Sequence, residues 1–205
     1  SSTPATATAT LDNASPNDAP VLLTTGLSVI SGSGTTFTAN TNFSAINEDV
    51  TNSNGDAVDT FLNEDTASDL EDFGEGGVRG VAITTADSTN GTWQFSVNNG
   101  TSWTPFTAPA NESTARLLDG APTGGSTHRV RFVPDTNFNT DAGGAVALTY
   151  RAWDKTTGSV GGTADTSTNG TTTPFSAGKV TKTITVRSVN DAPTATFGTP
   201  PAVNE

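Results

Sequence analysis

The sequence predicts an all-β fold, and three observations support that prediction. Aliphatic and aromatic residues make up only 32% of the 205 residues, and short strands joined by polar Gly, Ser, Thr, Asn and Asp turns suit such a composition. The segments 92–97 and 179–186 alternate apolar and polar residues, which turns one face of a strand inward. Asn99-Gly100 follows the first of them and is a strong hairpin signal.

Nine segments are strand candidates, and they are 21–25, 36–38, 80–85, 92–97, 102–106, 115–118, 128–133, 145–153 and 179–189. Alternation predicts that Trp93, Phe95 and Val97 share an inward face and that His128 shares one with Val130 and Phe132. Trp93 and Trp103 are expected to pack in the core. One weak helical segment, 57–62, is expected to form at most a turn or two.

Several kinds of chemistry lack the residues that they need. The chain has no Cys, so disulfides, thiol nucleophiles and thiolate metal sites are excluded. The single His, His128, lies in a strand candidate and has no recognisable catalytic or zinc-binding motif around it. We therefore expect that the protein is not an enzyme.

The charge is distributed unevenly along the chain. The net charge is −12, and the first 78 residues carry twelve acidic residues but no Lys or Arg. Ten of these acids lie between Glu48 and Glu75, where they repel one another unless solvent or cations separate them. Nucleic acid is excluded as a partner because phosphate binding requires clustered Lys and Arg. No apolar run is long enough for membrane insertion.

An internal repeat organises the chain. Asn17-Asp18-Ala19-Pro20 recurs as Asn190-Asp191-Ala192-Pro193, and the later sequence Ala45-Ile46-Asn47-Glu48 resembles Ala202-Val203-Asn204-Glu205. This pattern indicates one complete unit and the start of the next in a tandem array. We predict a linker or tail at 1–20, a repeat module at 21–189, and a linker with the start of a following repeat at 190–205.

The repeat motif and several others resemble parts of a known family. Val189-Asn190-Asp191-Ala192-Pro193 resembles the linker of cadherin-like repeats and of large repetitive bacterial surface adhesins. Asn90-Gly91-Thr92-Trp93-Gln94-Phe95-Ser96, Arg131-Phe132-Val133-Pro134-Asp135 and Arg151-Ala152-Trp153-Asp154 resemble one long-repeat class of those adhesins. The resemblance implies an antiparallel two-sheet sandwich of immunoglobulin or cadherin type, enlarged here by long loops because a minimal sandwich has about 100 residues.

The resemblance also implies calcium at the junction between modules. Residues that match the calcium-binding positions of the family are Glu48, Asp49, Asp69, Glu71, Asp72, Asp154, Asn190 and Asp191. Asp69, Glu71 and Asp72 stand in Ser68-Asp69-Leu70-Glu71-Asp72, at the position where the family often has an Asp-x-Asp loop. Here the loop sequence departs from that pattern. Ca²⁺ prefers mixed carboxylate, amide and backbone oxygens, and an Asn-Asp linker offers all of them.

The expected function is therefore structural. We expect an extender module of a secreted, extracellular adhesin on the bacterial surface, whose partners are neighbouring repeats. A first alternative is a subunit of an extracellular fibre or surface layer, in which 1–20 or 193–205 adds a strand to an identical subunit. A second alternative is a glycan- or peptide-binding module that uses exposed Trp103, Trp153 or Tyr150.

Overall fold

The computed structural model describes residues 19–20, 22, 28–30, 36–38, 42–65, 80–106, 111–120, 127–141 and 144–193. These residues form mostly antiparallel β-sheet, so the all-β prediction is confirmed. The predicted strand at 21–25 and most of both predicted linkers fall outside the described residues. Among the described residues, no helix is long and apolar enough to cross a lipid bilayer.

The largest sheet has five antiparallel strands in the order β11-β8-β5-β10-β12. Its strands are β5 (Gly80–Ala86), β8 (Ala115–Asp119), β10 (Val146–Trp153), β11 (Thr163–Ala164) and β12 (Val180–Ile184). The register between β10 and β5 shifts between Thr149 and Tyr150. This shift accommodates one extra residue, Thr84, whose hydroxyl donates to the carbonyl of Thr149 at 3.3 Å.

The second sheet has four antiparallel strands in the order β4-β9-β6-β7. Its strands are β4 (Asp56–Ala57), β6 (Gly91–Ser96), β7 (Thr104–Pro105) and β9 (Arg129–Pro134). Between β6 and β7, Thr101 N donates to Asn98 O, and Asn99 and Gly100 both have positive φ. Two positive φ values at the central residues are those of a type I′ turn, and the hairpin that the Asn-Gly pair predicted is confirmed.

Two smaller strand pairs complete the sheet structure. One is antiparallel and joins β1 (Ser28–Ile30) to β2 (Thr36–Thr38). The other is parallel and joins β3 (Ile46–Asn47) to β13 (Val186–Arg187). The described helices are α1 (Val58–Asp65) and a 3₁₀ turn, Glu112–Thr114, so α1 is longer than the sequence predicted.

The main hydrophobic core contains side chains from both large sheets. Trp93 and Phe132 of the four-stranded sheet lie in one cluster with Ile83, Leu148 and Tyr150 of the five-stranded sheet. The ring centroids of Trp93 and Phe132 are 5.4 Å apart, so the prediction of a core role for Trp93 is confirmed. A second cluster of Ala82, Ala115, Leu117, Trp153 and Phe175 covers the other face of the five-stranded sheet.

The inward face predicted for β6 was partly wrong. Trp93 and Phe95 are buried, but Val97 is 45% exposed. The strand ends at Ser96, whose hydroxyl accepts hydrogen bonds from Asn98 N and Gly100 N. The chain therefore turns before Val97 can continue the alternation. The inward face of His128, Val130 and Phe132 is confirmed, since all three are buried.

Candidate metal centre

The candidate site lies at the C-terminal end of the last described strand, β13. The short strand β3 pairs in parallel with β13, and Glu48 N extends this ladder by donating to Arg187 O at 3.0 Å. A turn follows at once, because Val50 N donates to Asn47 O. Glu48 is therefore fixed in space beside β13, close to the point in the chain where Asn190 and Asp191 follow.

The carboxylate of Glu48 joins two other segments of the chain. Its Oε1 accepts from Val189 N at 2.6 Å, and its Oε2 accepts from Asn139 Nδ2 at 2.8 Å. The side chain is buried. These two hydrogen bonds, the first from the Val189 backbone, lower the pKa of Glu48 below its usual value. Glu48 is therefore ionised at neutral pH.

A second carboxylate, Asp141, is attached to the same strand end. Its Oδ2 accepts from Ser188 N at 3.2 Å and from Ser188 Oγ at 2.6 Å. The bonds from the Ser188 side chain and backbone lower the pKa of Asp141. Thr140 N and Oγ1 both donate to Val186 O, so the loop that follows β9 is held against β13. We call Glu48, Asn139, Asp141, Ser188 and Val189 the junction cluster.

The junction cluster carries an excess of negative charge. The charge on Asp141 raises the pKa of Glu48, which means that the two carboxylates repel each other. Arg187 lowers the pKa of Asp141, but no salt bridge among the described residues involves Glu48 or Asp141. The hydrogen-bond donors that hold both carboxylates are neutral.

The structure brings together only part of the predicted ligand set. Glu48 is central to the cluster, and Asp49 is exposed in the adjoining turn. Asn190 and Asp191 are exposed and follow the cluster directly, with Asn190 Nδ2 donating to the backbone oxygen of Asp191 at 3.4 Å. Asp69, Glu71 and Asp72 lie outside the described residues.

Asp154 follows the end of β10 that is farther from the junction cluster. It follows β10, whose first residue Val146 pairs with Ile184 near the junction cluster. The seven further residues of that strand extend on the order of 20 Å, so Asp154 and Glu48 cannot share an ion. Asp154 Oδ1 accepts from Thr156 N and Oγ1, and Asp154 N donates to Pro174 O.

The end that holds Asp154 is also where the described chain enters the fold. Ala19 N donates to Thr171 O at 2.7 Å, and Thr171 belongs to the same 171–176 loop that binds Asp154 N. Ala19 thus lies at the Asp154 end, whereas Asn190 and Asp191 follow the strand end at which Glu48 binds Val189. The predicted ligands are therefore divided between two ends.

Asn139, Asp141 and Ser188 of the junction cluster were not predicted from the sequence. Asn139 and Asp141 lie in a loop with no recognised motif, and their partners are about 50 to 90 residues away in sequence. The only local signal is the run of polar residues after β9, in which Asn139 and Asp141 are separated by one residue. That spacing can present two oxygen-bearing side chains from one loop.

The residues that are present fit a hard cation only with additional oxygens. Among the described part of the chain, no three Asp, Glu, His or Cys side chains are grouped as metal ligands. The absence of such a group among the described residues does not decide calcium binding, because Ca²⁺ also takes amide, backbone and water oxygens. Comparisons with protein-family models, curated proteins and solved structures gave no significant match.

Proposed function

We propose that this chain is a non-enzymatic structural module of a secreted, repetitive bacterial surface adhesin, stiffened at its ends by calcium. The observation that carries the proposal is the junction cluster. Two carboxylates without salt-bridge partners among the described residues lie at the strand end from which the Asn190-Asp191 linker leaves. A cation there offsets their repulsion and holds the linker at a fixed angle to the module.

A two-sheet sandwich of immunoglobulin or cadherin type is part of this proposal. Its support is that side chains from both large sheets share one hydrophobic cluster. In such an architecture the chain enters and leaves at opposite ends, and the contacts of Ala19 and Val189 described above agree with that path. Modules joined in this way form a rod whose stiffness depends on the linkers.

Calcium would be held by side-chain and backbone oxygens of the junction cluster and its linker. Glu48 and Asp141 would supply negative charge, while Asn190 and Asp191 would supply oxygens from the linker. The described residues supply few carboxylates, so water or the following module would complete the coordination. The Asp154 end would receive the linker of the preceding module in the same way.

A non-enzymatic role has support from the single histidine. His128 Nδ1 accepts from Asp119 N at 3.1 Å inside the fold, and burial lowers the pKa of its side chain. His128 is therefore used as a neutral hydrogen-bond acceptor within the sheets. This use suits a structural residue better than a general base that must reach a substrate.

The two alternative functions have less support. Tyr150 and Trp153 are buried, and Trp103 is half-buried with the Arg131 guanidinium 4.2 Å from its ring. None of these rings is an open platform for a glycan or peptide. Strand addition requires an accessible edge. Of the four edge strands of the two large sheets, β4, β7 and β11 have only two residues each, which is how natural sheets limit such pairing. The fourth, β12, has five residues, and Thr183 O on it already accepts from Phe43 N at 3.0 Å.

The proposal is tested by thermal unfolding of the whole chain in millimolar calcium and in chelator. A ligand that binds only the folded state raises the midpoint of unfolding. We expect calcium to raise the Tm of the wild type and to raise that of Asp141→Asn much less. An equal Tm with calcium and with chelator would contradict the proposal.

Asp165→Asn is the matched control for Asp141→Asn. Asp165 also accepts from a Ser backbone N–H, that of Ser167, and its pKa is lowered by Ser167. It follows β11, at the opposite edge of the five-stranded sheet from β12. Four strand spacings separate those edges by about 19 Å, so this variant should keep the full calcium effect.

A further inference from the structure

One Asn-Gly pair of the chain receives two hydrogen bonds from a single guanidinium group. Arg129 Nε donates to Asn54 O at 2.7 Å, and Arg129 Nη2 donates to Gly55 O at 2.8 Å. The third contact, from Nη1 to Asn99 Oδ1 at 3.4 Å, is also with a neutral acceptor. Among the described residues, Arg129 forms no salt bridge. Its positive charge therefore acts on the peptide group that joins Asn54 to Gly55.

The amide nitrogen of Gly55 donates to no acceptor among the described residues. Three further Asn-Gly pairs lie in this part of the chain, and their glycines are held differently. Gly100 N and Gly170 N both donate hydrogen bonds within the fold, at 2.9 and 2.8 Å. Gly91 is buried, whereas Asn54 is exposed. Asn54-Gly55 therefore combines an exposed Asn with a glycine nitrogen that no hydrogen bond holds.

A glycine nitrogen in this state can react with the side chain of the preceding Asn. Once the Gly55 nitrogen loses its proton to solvent, it can attack the side-chain carbonyl carbon of Asn54. A new C–N bond forms, the bond from that carbon to the side-chain nitrogen breaks, and the nitrogen leaves as ammonia after taking a proton from water. Water then opens the resulting succinimide ring to aspartate or isoaspartate. Glycine suits this attack because it has no Cβ to obstruct the approach.

Arg129 favours the first step of this reaction. When the Gly55 nitrogen loses its proton, negative charge is shared with the carbonyl oxygen of the same peptide group, which is Asn54 O. The guanidinium already donates to that oxygen at 2.7 Å, so it stabilises the charge as it develops. The missing acceptor at the Gly55 N–H acts in the same direction, because an accepting group would hold the proton on the nitrogen.

We propose that Asn54-Gly55 is a site of spontaneous deamidation that Arg129 activates. The reaction consumes only water and converts a neutral amide into a carboxylate. The new carboxylate arises beside a guanidinium that has no anionic partner among the described residues. The charge of this segment, which is already acidic, therefore becomes more negative as the protein ages.

Ageing of the whole folded chain at mildly alkaline pH, followed by peptide mapping, tests this proposal. Cleavage after Glu releases the segment 49–64, in which mass spectrometry distinguishes position 54 from the other two Asn residues. We expect Asn54 to deamidate faster than Asn90, Asn99 and Asn169. In urea the four pairs should react at similar rates, because the contacts of the folded chain are lost. If Asn54 reacts no faster than Asn99 in the folded protein, the proposal is wrong.

Arg129→Gln tests the assigned activation. Loss of the charge-assisted hydrogen bond to Asn54 O should slow deamidation at this position by about five- to tenfold. Arg131→Gln is the matched control, because Arg131 donates to Asn52 Oδ1 and Ser53 O and holds the same segment without contacting Asn54 O. Loosening of the segment would affect both variants alike. A rate in Arg129→Gln that equals or exceeds the rate in Arg131→Gln would contradict activation by Arg129.

Discussion

Glu48 and Glu112 are both acidic residues held by several hydrogen bonds, but their charges are balanced differently. Glu112 begins the 3₁₀ turn Glu112–Thr114 and forms salt bridges with Arg151 at 3.1 Å and Lys179 at 2.8 Å. Glu48 is bound by a backbone N–H and an amide, both neutral, and is repelled by Asp141. One negative charge is neutralised within the fold and the other is not.

The surroundings of Glu112 explain why its charge is neutralised. Arg151 is 6% exposed and also donates to the carbonyls of Ser176 and Ala177. A buried guanidinium needs a nearby anion, and Glu112 provides it at the surface of the five-stranded sheet. Burial raises the pKa of Glu112, but hydrogen bonds from Lys179, Thr166 and Arg151 outweigh it and bring the pKa to about 2.

The comparison separates a carboxylate whose charge is balanced by two cationic side chains from one whose hydrogen-bond donors are neutral. Glu112 has its cations already, so an added ion gains little by approaching it. Glu48 and Asp141 have neutral hydrogen-bond donors, and only Asp141 is also stabilised by Arg187. Under the proposed function a cation beside them would therefore gain more than one beside Glu112. The difference predicts opposite responses of the two sites to mutation and to calcium.

Without added calcium, the largest effect is expected from Glu112→Gln at pH 7. This change leaves the nearly buried Arg151 charge without its ionic partner, and we expect the free energy of unfolding to fall by about 2 kcal/mol. Urea denaturation of both proteins measures the change. The exposed Asp135 is a control, since Asp135→Asn should stay within about 0.5 kcal/mol of the wild type. A similarly small change for Glu112→Gln would contradict the assigned role of the salt bridges.

Calcium should distinguish the two glutamates. Calcium at a hundred times its dissociation constant stabilises a protein by about 2.7 kcal/mol if it binds only the folded state. We expect Glu112→Gln to keep the calcium-dependent rise in Tm of the wild type and Glu48→Gln to lose most of it. Differential scanning calorimetry in calcium and in chelator makes the comparison. The reverse pattern would assign the ion to the Glu112 region.

The contribution of Glu112 should depend on pH. Its pKa is about 2 in the folded protein and about 4.5 in an ordinary environment, so its stabilisation is complete above about pH 4.5 and is lost as the pH falls through 2. The stability difference between the wild type and Glu112→Gln, on the order of 2 kcal/mol after solvent screening, should therefore vanish over that range. Urea denaturation from pH 7 to 2 checks this, and a difference independent of pH would refute it.

The sequence predicted elements whose pattern is local, and it missed those that depend on distant partners. Alternation identified β6 and β12, and Asn99-Gly100 identified the turn. The strands β3 and β4 have two residues each, and β3 pairs with β13 about 140 residues later. No local pattern marks a strand of that length.

The same reason limits the prediction of the site. Glu48, Asn190 and Asp191 were predicted because they belong to recognisable motifs. Asn139 and Asp141 became visible only when the loop after β9 was seen against β13. Asp154 was grouped with Glu48 by motif, whereas β10 separates the two residues along its length. Motifs can therefore predict ligand types, but the topology decides which residues share an ion.

The smallest effect is expected from Glu48→Gln in chelator. The Gln carbonyl can still accept from Val189 N, and the Asn139 side chain can turn to accept from the new amide. Turning the Asn139 amide gives up the hydrogen bond that Asp141 N donates to Asn139 Oδ1 at 3.3 Å, and the repulsion from Asp141 disappears at the same time, so these two effects oppose each other. Urea denaturation should therefore show a much smaller change in the free energy of unfolding than for Glu112→Gln.

The dependence of this small effect on salt provides a further test of the repulsion. Added salt screens the repulsion between Glu48 and Asp141, so it should stabilise the wild type relative to Glu48→Gln in chelator. Potassium chloride is suitable because it contains no divalent cation. A stability difference that does not change with salt would mean that the two carboxylates do not interact, and the reason to expect calcium between them would be lost.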